Sequence, residues 1–447
     1  MKHLPVVAVF AVLMVFFVPH NASAQTIRCD TPQEKIQCQA ALDQVNAELA
    51  QAQKDLATAQ AKSSSLANDI AILAAKIKAA QLDIKAKNLL IQTLGNNITQ
   101  KQSHIDALEA RITRGKETIS TILRKTYEID ASSLPEVILS QSSVAGFFQD
   151  LDTFESVREG LKTTFEQLRS DQAATNAEKD ALTVRKNKET DARYAIQQQQ
   201  KSIESNQAEQ KRLLALSKGD EKAYASLAAD KAAKAAQIRA ALFPLAGGQK
   251  IPFGQALQYA TEASQKTGVR PAFILAVLTQ ESALGANVGN CYLSNVSTGD
   301  GIKVNTGQLT SKVMSPTRDV PIFIQITQKL GYDPMKTVVS CPQSVGWGGA
   351  MGPAQFIAST WTLLEDRISS ALNLGGTPNP WNPEHAFMAS GLFLSDLGAS
   401  RGGYTAERNA ACRYFSGSIC SKSSLVASYG NSVVSKADTI QQTINQL

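Results

Sequence analysis

Two short stretches hold the residue types that could do chemistry. They are "PAFILAVLTQES", residues 271–282, which ends in Gln280-Glu281-Ser282, and the glycine-rich "GWGGAMGPAQF", residues 346–356. In the first, Pro271 stands where a helix can begin without its N–H, and the apolar run Phe273–Leu278 predicts burial. A carboxyl group at the edge of such a core is desolvated, which favours its neutral form and suits a general acid near neutral pH. A solvent-facing glutamate on the last turn fits the segment equally well. In the second stretch, the density of glycine before the helix-like "IASTWTLL" predicts a backbone that something approaches closely.

Other chemistries lack their residues. The chain has four histidines, and two of them, His3 and His20, fall in the first 24 residues. His104 and His385 are too few and too scattered for a zinc peptidase or amidase, or for a Ser-His-Asp or Cys-His site. His385, in "WNPEHAF", reads as a helix-start residue rather than a base. Asp300, in "SNVSTGDG", is the one flexible acidic residue soon after Glu281, and it reads as a solvated turn aspartate. The formal charge of +6 is mild, and its basic residues are spread along the chain, so no nucleic-acid footprint is present.

The elements that must position these residues fall into two parts. "FPLAGGQKIPFG", residues 243–254, ends a long helical periodicity with prolines and glycines, so a linker is placed at 241–252. Beyond it, residues 253–435 mix apolar helices with Gly/Ser/Pro loops, followed by a tail at 436–447; this is long enough for a real core. Before it, residues 25–240 read as a helical arm. From Leu42 to Ile122 apolar residues recur in a 3,4 rhythm, one seam running Leu42, Leu49, Leu56, Ser63, Ile70, Ile77 and on to Ile119. Sustained for about twelve heptads, this predicts one continuous coiled-coil helix. A break with capping-box spacing at Ser133-Leu134-Pro135-Glu136 precedes a second, looser arm over about 151–238. Two arms of similar length suggest an antiparallel hairpin, with a parallel dimer of the first arm as the competitor. The apolar tip, about 131–150, is either a small buried cap or a docking surface.

The first 24 residues read as an export signal: Lys2, an apolar core, and Ala22-Ser23-Ala24 as the cleavage site. An uncleaved membrane anchor is the alternative, although the apolar core is short for a bilayer span. Export to the periplasm or cell surface favours disulfides. Six cysteines allow fifteen pairings; nearest neighbours in sequence give Cys29/Cys38, Cys291/Cys341 and Cys412/Cys420. Reduced, packed thiols are the other reading.

The arm, through "ILRKTYEIDASSLPEVILSQSSVAGFFQDLDTFESV", resembles the coiled-coil regions of bacterial murein-hydrolase activators. That resemblance implies docking of the tip on a membrane transporter-like complex at division sites. In the C-terminal part, Glu281-Ser282 is followed by "GGAMGPAQF" with "IASTW", then "NPWNPEHAFMASGLFLSDLG", "RYFSG" and "YGNSV". This ordered set resembles the lysozyme-like lytic transglycosylases of bacterial envelopes, and "RDVPIFIQITQKLGYDP" is similar to their B-type subgroup. The implied fold is mainly α: a long coiled coil followed by a lysozyme-like domain.

The resemblance implies cleavage of peptidoglycan glycan strands between N-acetylmuramic acid and N-acetylglucosamine, with Glu281 as the single acid/base. Glu281 protonates the glycosidic oxygen, and its carboxylate then takes the proton of the 6-hydroxyl as a 1,6-anhydro ring closes. No metal or organic cofactor is needed. Gln355, Phe356 and the backbone around Met351 would line the groove, with Ser282 and Tyr414 near the reacting sugar and the glycine loop lying against the polysaccharide. Trp347, Phe356, Trp361 and Trp381 are aromatic candidates for sugar stacking, Trp361 and Trp381 reading more as core. The family's late Tyr-Asn is here Tyr414-Phe415-Ser416-Gly417, so Ser416 is the candidate to replace the asparagine. Two rival functions are a hydrolysing muramidase with Asp300 as second carboxylate, and a non-catalytic glycan-binding scaffold that recruits or activates other hydrolases.

Overall fold

A computed structural model describes residues 32–60, 66–130, 144–217, 251–343 and 346–445. The protein is mainly helical. It divides into two compact units, one of Met1–Ala52 with Gln81–Arg185 and the other of Gln53–Ala80 with Lys186–Leu447. Among the described residues no helix is long and apolar enough to cross a membrane. The expected signal at 1–24 and most of the expected tip at 131–150 lie outside them.

Among the described residues the N-terminal half holds three long helices: α1 (Pro32–Gln60), α2 (Leu66–Asp130) and α3 (Val144–Ser217). In the first unit the predicted seam is buried at Ile105, Leu108, Ile112 and Ile119 of α2. Its partner is α3. Lys101 pairs with Glu178, Glu109 with Lys179 at 2.6 Å, and Arg111 with Asp171 at 2.8 Å. Gly115 lies beneath Leu168. The partner numbers fall from 178–179 to 168 as α2 advances from 101 to 115, so these stretches run in opposite directions. Asp171 is only 4 % exposed, and Gln167 holds it as well as Arg111 does.

The expectation of one unbroken helix from Leu42 to Ile122 is corrected. Val45 of α1 is buried against Ala86 and Leu89 of α2, with Ala41 and Leu42 packed around them. In a straight helix Val45 and Leu89 would stand about 66 Å apart, so α1 folds back along α2. Ala86 and Leu89 lie off the 3,4 seam, which passes through Ile84, Lys87, Ile91 and Leu94; α2 therefore buries a second face here. The five residues between the two helices in sequence include three serines, Ser63–Ser65.

The C-terminal part of the second unit is built from α4 (Phe253–Thr267), α5 (Pro271–Ser282), α6 (Val320–Lys329), α7 (Ala358–Thr362), α8 (Glu365–Leu372), α9 (Pro383–Asp396), α10 (Tyr404–Ser416) and α11 (Ser424–Ile444). Helix α5 is its centre. Residues Ala272–Leu278 are all fully buried, as expected for a helix apolar on every side, and α4, α9 and α11 pack around it. A three-stranded antiparallel sheet, β1 (Cys291–Asn295), β2 (Asp300–Lys303) and β3 (Leu309–Thr310), follows α5 in order β1-β2-β3. Leu293 stands opposite Gly301, and Ile302 opposite Leu309. The sequence reading had only loops here, because the strands are short and alternate weakly between buried and exposed.

Disulfides join Cys291 to Cys341 and Cys412 to Cys420, as nearest-neighbour pairing predicted. Cys38 is disulfide-bonded too, while its expected partner, Cys29, lies outside the described residues. The first disulfide fastens β1 to a segment that also pairs with it through the Cys291–Val339 bridge.

Candidate active site

Glu281 is carried on the last turn of α5, one residue before the helix ends. The ending is sharp. Ala283 and Leu284 both adopt positive φ, 51° and 55°, and Gly285 follows at 81°. Two successive non-glycine residues in the left-handed region cost on the order of 1–2 kcal/mol each, and such conformations persist only where surrounding structure enforces them. Ser282 does part of this. Its hydroxyl is 1 % exposed, accepts from the Gly285 N–H at 2.9 Å, and lies 2.6 Å from the Pro353 carbonyl of the glycine loop. Helix end and loop are thereby tied together beside the half-buried Glu281.

Two tyrosines face the carboxyl group. Tyr429 of α11 donates its hydroxyl hydrogen bond to Glu281 Oε1. Tyr414 of α10 donates to the Ala354 carbonyl at 2.7 Å, which leaves the Ser390 hydroxyl, 3.3 Å away, as donor to the phenol oxygen. Burial pushes Glu281 above the ordinary carboxylate range, opposed by the Tyr429 hydrogen bond. Burial also pushes both phenols well up, with the charge on Glu281 adding to the effect in each. Both tyrosines therefore remain proton donors wherever Glu281 ionises. A carboxyl group whose neutral form is favoured by desolvation, with a phenol ready to stabilise its anion, can give a proton and take one back.

Phe415 completes this wall. It is 43 % exposed and lies face to face on Tyr429, with ring centroids 4.6 Å apart and planes 13° from parallel. The ring in the expected asparagine position thus braces the tyrosine that holds Glu281. Ser416, the candidate replacement, turns its hydroxyl onto its own helix end, donating to Cys412 O at 2.9 Å and accepting from Ser418 N.

Tyr429, in "YGNSV", is a site residue to which the sequence pattern assigns no role. Its signal is Gly430. A Cβ there would press on Cys412 Sγ, and it would also crowd Cys420 Sγ and the Arg408 carbonyl. Only glycine lets α11 come this close to α10 at the disulfide, which sets the tyrosine beside it.

Two glycines of the loop meet the protein's own main chain. A Cβ on Gly352, at φ 59°, would collide with the Pro380 carbonyl, and one on Gly348 with the main chain at Ser340–Pro342. The protein's own backbone makes these close approaches. Met351 is buried and pairs with Phe356 across a β-bridge. Phe356 is likewise buried, touching Trp361, Phe393 and Tyr414. Gln355 is held at φ 54°, and its amide donates to Gly352 O at 2.8 Å and Val288 O at 3.3 Å. Its side chain bridges the loop to the segment following α5.

No family model, curated protein or solved structure matches this chain.

The remaining candidates settle into structural positions. Asp300 opens β2 and is not a free turn residue, since it accepts from Thr298 Oγ1 at 2.7 Å and Lys312 N at 3.2 Å. His385 uses Nδ1 to accept from Asn379 N at 2.9 Å, in the first turn of a helix capped by Asn382. Burial lowers its pKa. Trp361 is core; Trp381 donates to Val338 O and packs edge-on with Tyr332 and Phe323. Trp347 is the exposed tryptophan, lying against Gly299.

Proposed function

We propose that the chain is an exported peptidoglycan lytic transglycosylase in which Glu281 serves as the single acid and base. The observation that carries the reading is the half-buried Glu281, bonded by Tyr429 at the end of a helix whose preceding turns are wholly buried, with its pKa raised by that burial. In the reaction Glu281 protonates the oxygen between N-acetylmuramic acid and N-acetylglucosamine. Tyr429 then stabilises the carboxylate that results. That carboxylate takes the proton of the 6-hydroxyl, which closes the 1,6-anhydro ring and returns Glu281 to its acid form. Ser282 and Gln355 position the acid and the loop; Tyr414 stands beside it. Both Asp300 oxygens already accept hydrogen bonds, from Thr298 and from Lys312, which favours this single-carboxylate reaction over the hydrolysing muramidase.

Residues 253–435 are read as a lysozyme-like domain and the arm as a coiled-coil hairpin, supported by the opposed α2 and α3 contacts. Docking of its apolar tip on a membrane transporter-like division complex belongs to the same reading. The disulfides Cys291–Cys341 and Cys412–Cys420 support export to an oxidising location.

The test is mass spectrometry of soluble products after the mature protein is incubated with peptidoglycan, beside Glu281→Gln. Anhydro-muropeptides that disappear in the variant support the proposal. Reducing-end muropeptides would replace it with a muramidase. No release by the full chain would leave a glycan-binding scaffold. Deletion of residues 30–240 with no change in location or cleavage would remove the docking role from the arm.

A further inference from the structure

Three helices bring the site together, and all three are gripped again at their far ends. Arg270, immediately before α5, forms a two-pronged pair with Glu407 of α10 at 2.9 and 2.7 Å, and reaches Asp438 of α11 at 3.4 Å. Glu407 is 4 % exposed, and burial raises its pKa against the pull of Arg270. A residue from another part of the sequence finishes this cluster: Tyr194 of α3 donates to the second oxygen of Asp438 and stacks on Tyr404, centroids 4.0 Å apart.

One turn earlier in α3, Asp191 does what α10 cannot do for itself. The residue before α10 is Gly403, which has no side chain to cap the helix. Asp191 Oδ1 accepts the Thr405 N–H at 2.7 Å, and its other oxygen occupies the space that a Cβ on Gly403 would fill. A carboxylate at this end satisfies an open N–H and complements the helix dipole.

The spacing links this grip to the site. Thr405 and Tyr414 are nine residues apart on α10, and Asp438 and Tyr429 are nine apart on α11. Both distances are about 13.5 Å along a helix. Near the site Cys412 of α10 is tied to Cys420 in the short turn that leads into α11, and Gly430 of α11 packs directly on Cys412 Sγ. A tilt at the Asp191–Tyr194 end would therefore be delivered to Tyr429 and Tyr414 as a shift against Glu281.

We propose that Asp191 and Tyr194 of the long helix are positioning residues of the Glu281 site, so that the second unit needs this stretch of the arm to hold its acid correctly. The inference rests on the catalytic reading for its kinetic consequence, although not for its geometry.

The experiment uses the full mature chain with Tyr194→Phe, which keeps the ring stack, and Asp191→Ala, with Asp191→Asn as the conservative rescue. Cleavage is followed as kcat and KM against pH. In parallel, the Glu281 carboxyl is titrated by NMR with 13C-labelled glutamate, its resonance assigned by its loss in Glu281→Gln. Tyr429 from α11 and Tyr414 from α10 are the titratable groups facing Glu281 among the described residues, so loosening α11 weakens the bond that favours the carboxylate. The expected result is kcat lowered on the order of tenfold to a hundredfold, KM little changed, the alkaline limb and the Glu281 titration both moved upward, and recovery in Asp191→Asn. A lower melting temperature with both pH midpoints unmoved would overturn the proposal, leaving the contact as simple fold support. If wild type cleaves nothing, the catalytic reading fails; the NMR midpoint alone then decides, moving up in Tyr194→Phe if the positioning role is right and standing still if it is wrong. Far-UV circular dichroism and retained chemical-shift dispersion in Tyr194→Phe establish that the fold persists.

Discussion

Replacing Tyr429 with phenylalanine removes one oxygen and little else. The ring that stacks on Phe415 is preserved, and so is its burial, while Glu281 loses its hydrogen-bond donor. A hydrogen bond to a charged group contributes about 1.5–3 kcal/mol, against about 0.5–1.5 for a neutral pair. The wild-type advantage should therefore be largest where Glu281 is ionised and smaller where it is protonated. The sign follows from linkage. Without its donor the folded carboxyl binds its proton more tightly, the unfolded chain is unaffected, and the stability gap grows as pH rises through the Glu281 ionisation. For a unit of this size each kcal/mol moves the melting temperature by about 2–4 °C, so the gap should be about 3–12 °C above that ionisation and about half as large below it. Differential scanning calorimetry of both proteins across the acid-to-neutral range reads it directly. A gap of constant size at every pH would refute the reasoning, because the Tyr429 bond would then not distinguish the two forms of Glu281. The alkaline limb of glycan cleavage should also move upward.

Glu281→Gln should lower cleavage by about a thousandfold or more. Because burial raises the folded pKa of Glu281, its favourable contribution is present below the unfolded pKa and lost as pH rises through the folded one; the variant should therefore gain thermal stability relative to wild type at neutral pH and not in acid. Gly352→Ala, which drives a Cβ into the Pro380 carbonyl at positive φ, should lose at least about 1–3 kcal/mol in denaturant unfolding; unchanged stability with weakened glycan binding would return the loop to its role as a sugar-facing surface. Mutating Cys412 and Cys420 together to serine should cost about 2–3 kcal/mol from the short loop they close, checked by melting with and without reductant. Spin labels at Asn46 and Leu90 should report a short distance by electron spin resonance, whereas one continuous helix would place them about 66 Å apart.

The sequence by itself determined what local pattern can determine. The 3,4 rhythm located the buried face of α2, since helical periodicity puts Ile105, Leu108, Ile112 and Ile119 on one side whatever they meet. The apolar run before Glu281 announced a buried helix with a carboxyl at its end. Short separation made Cys412–Cys420 a natural pair, because closing a short loop loses little chain entropy, and Cys291–Cys341, tying off one long loop of separation 50, followed as the next neighbours. Tertiary structure alone decided the partners. Heptads do not say where a helix turns back, so Val45 against Leu89 was hidden. Glycine reports that something comes close and not what, so the Pro380 carbonyl beside Gly352 was not legible. The Tyr429 bond joins residues 148 apart, and the Asp191 cap reaches across 214 to Thr405. Neither spacing has any periodicity to betray it. A side chain's type and its neighbours along the chain set what it can do; which distant group it faces is settled only when helices with compatible faces pack at their closest approach.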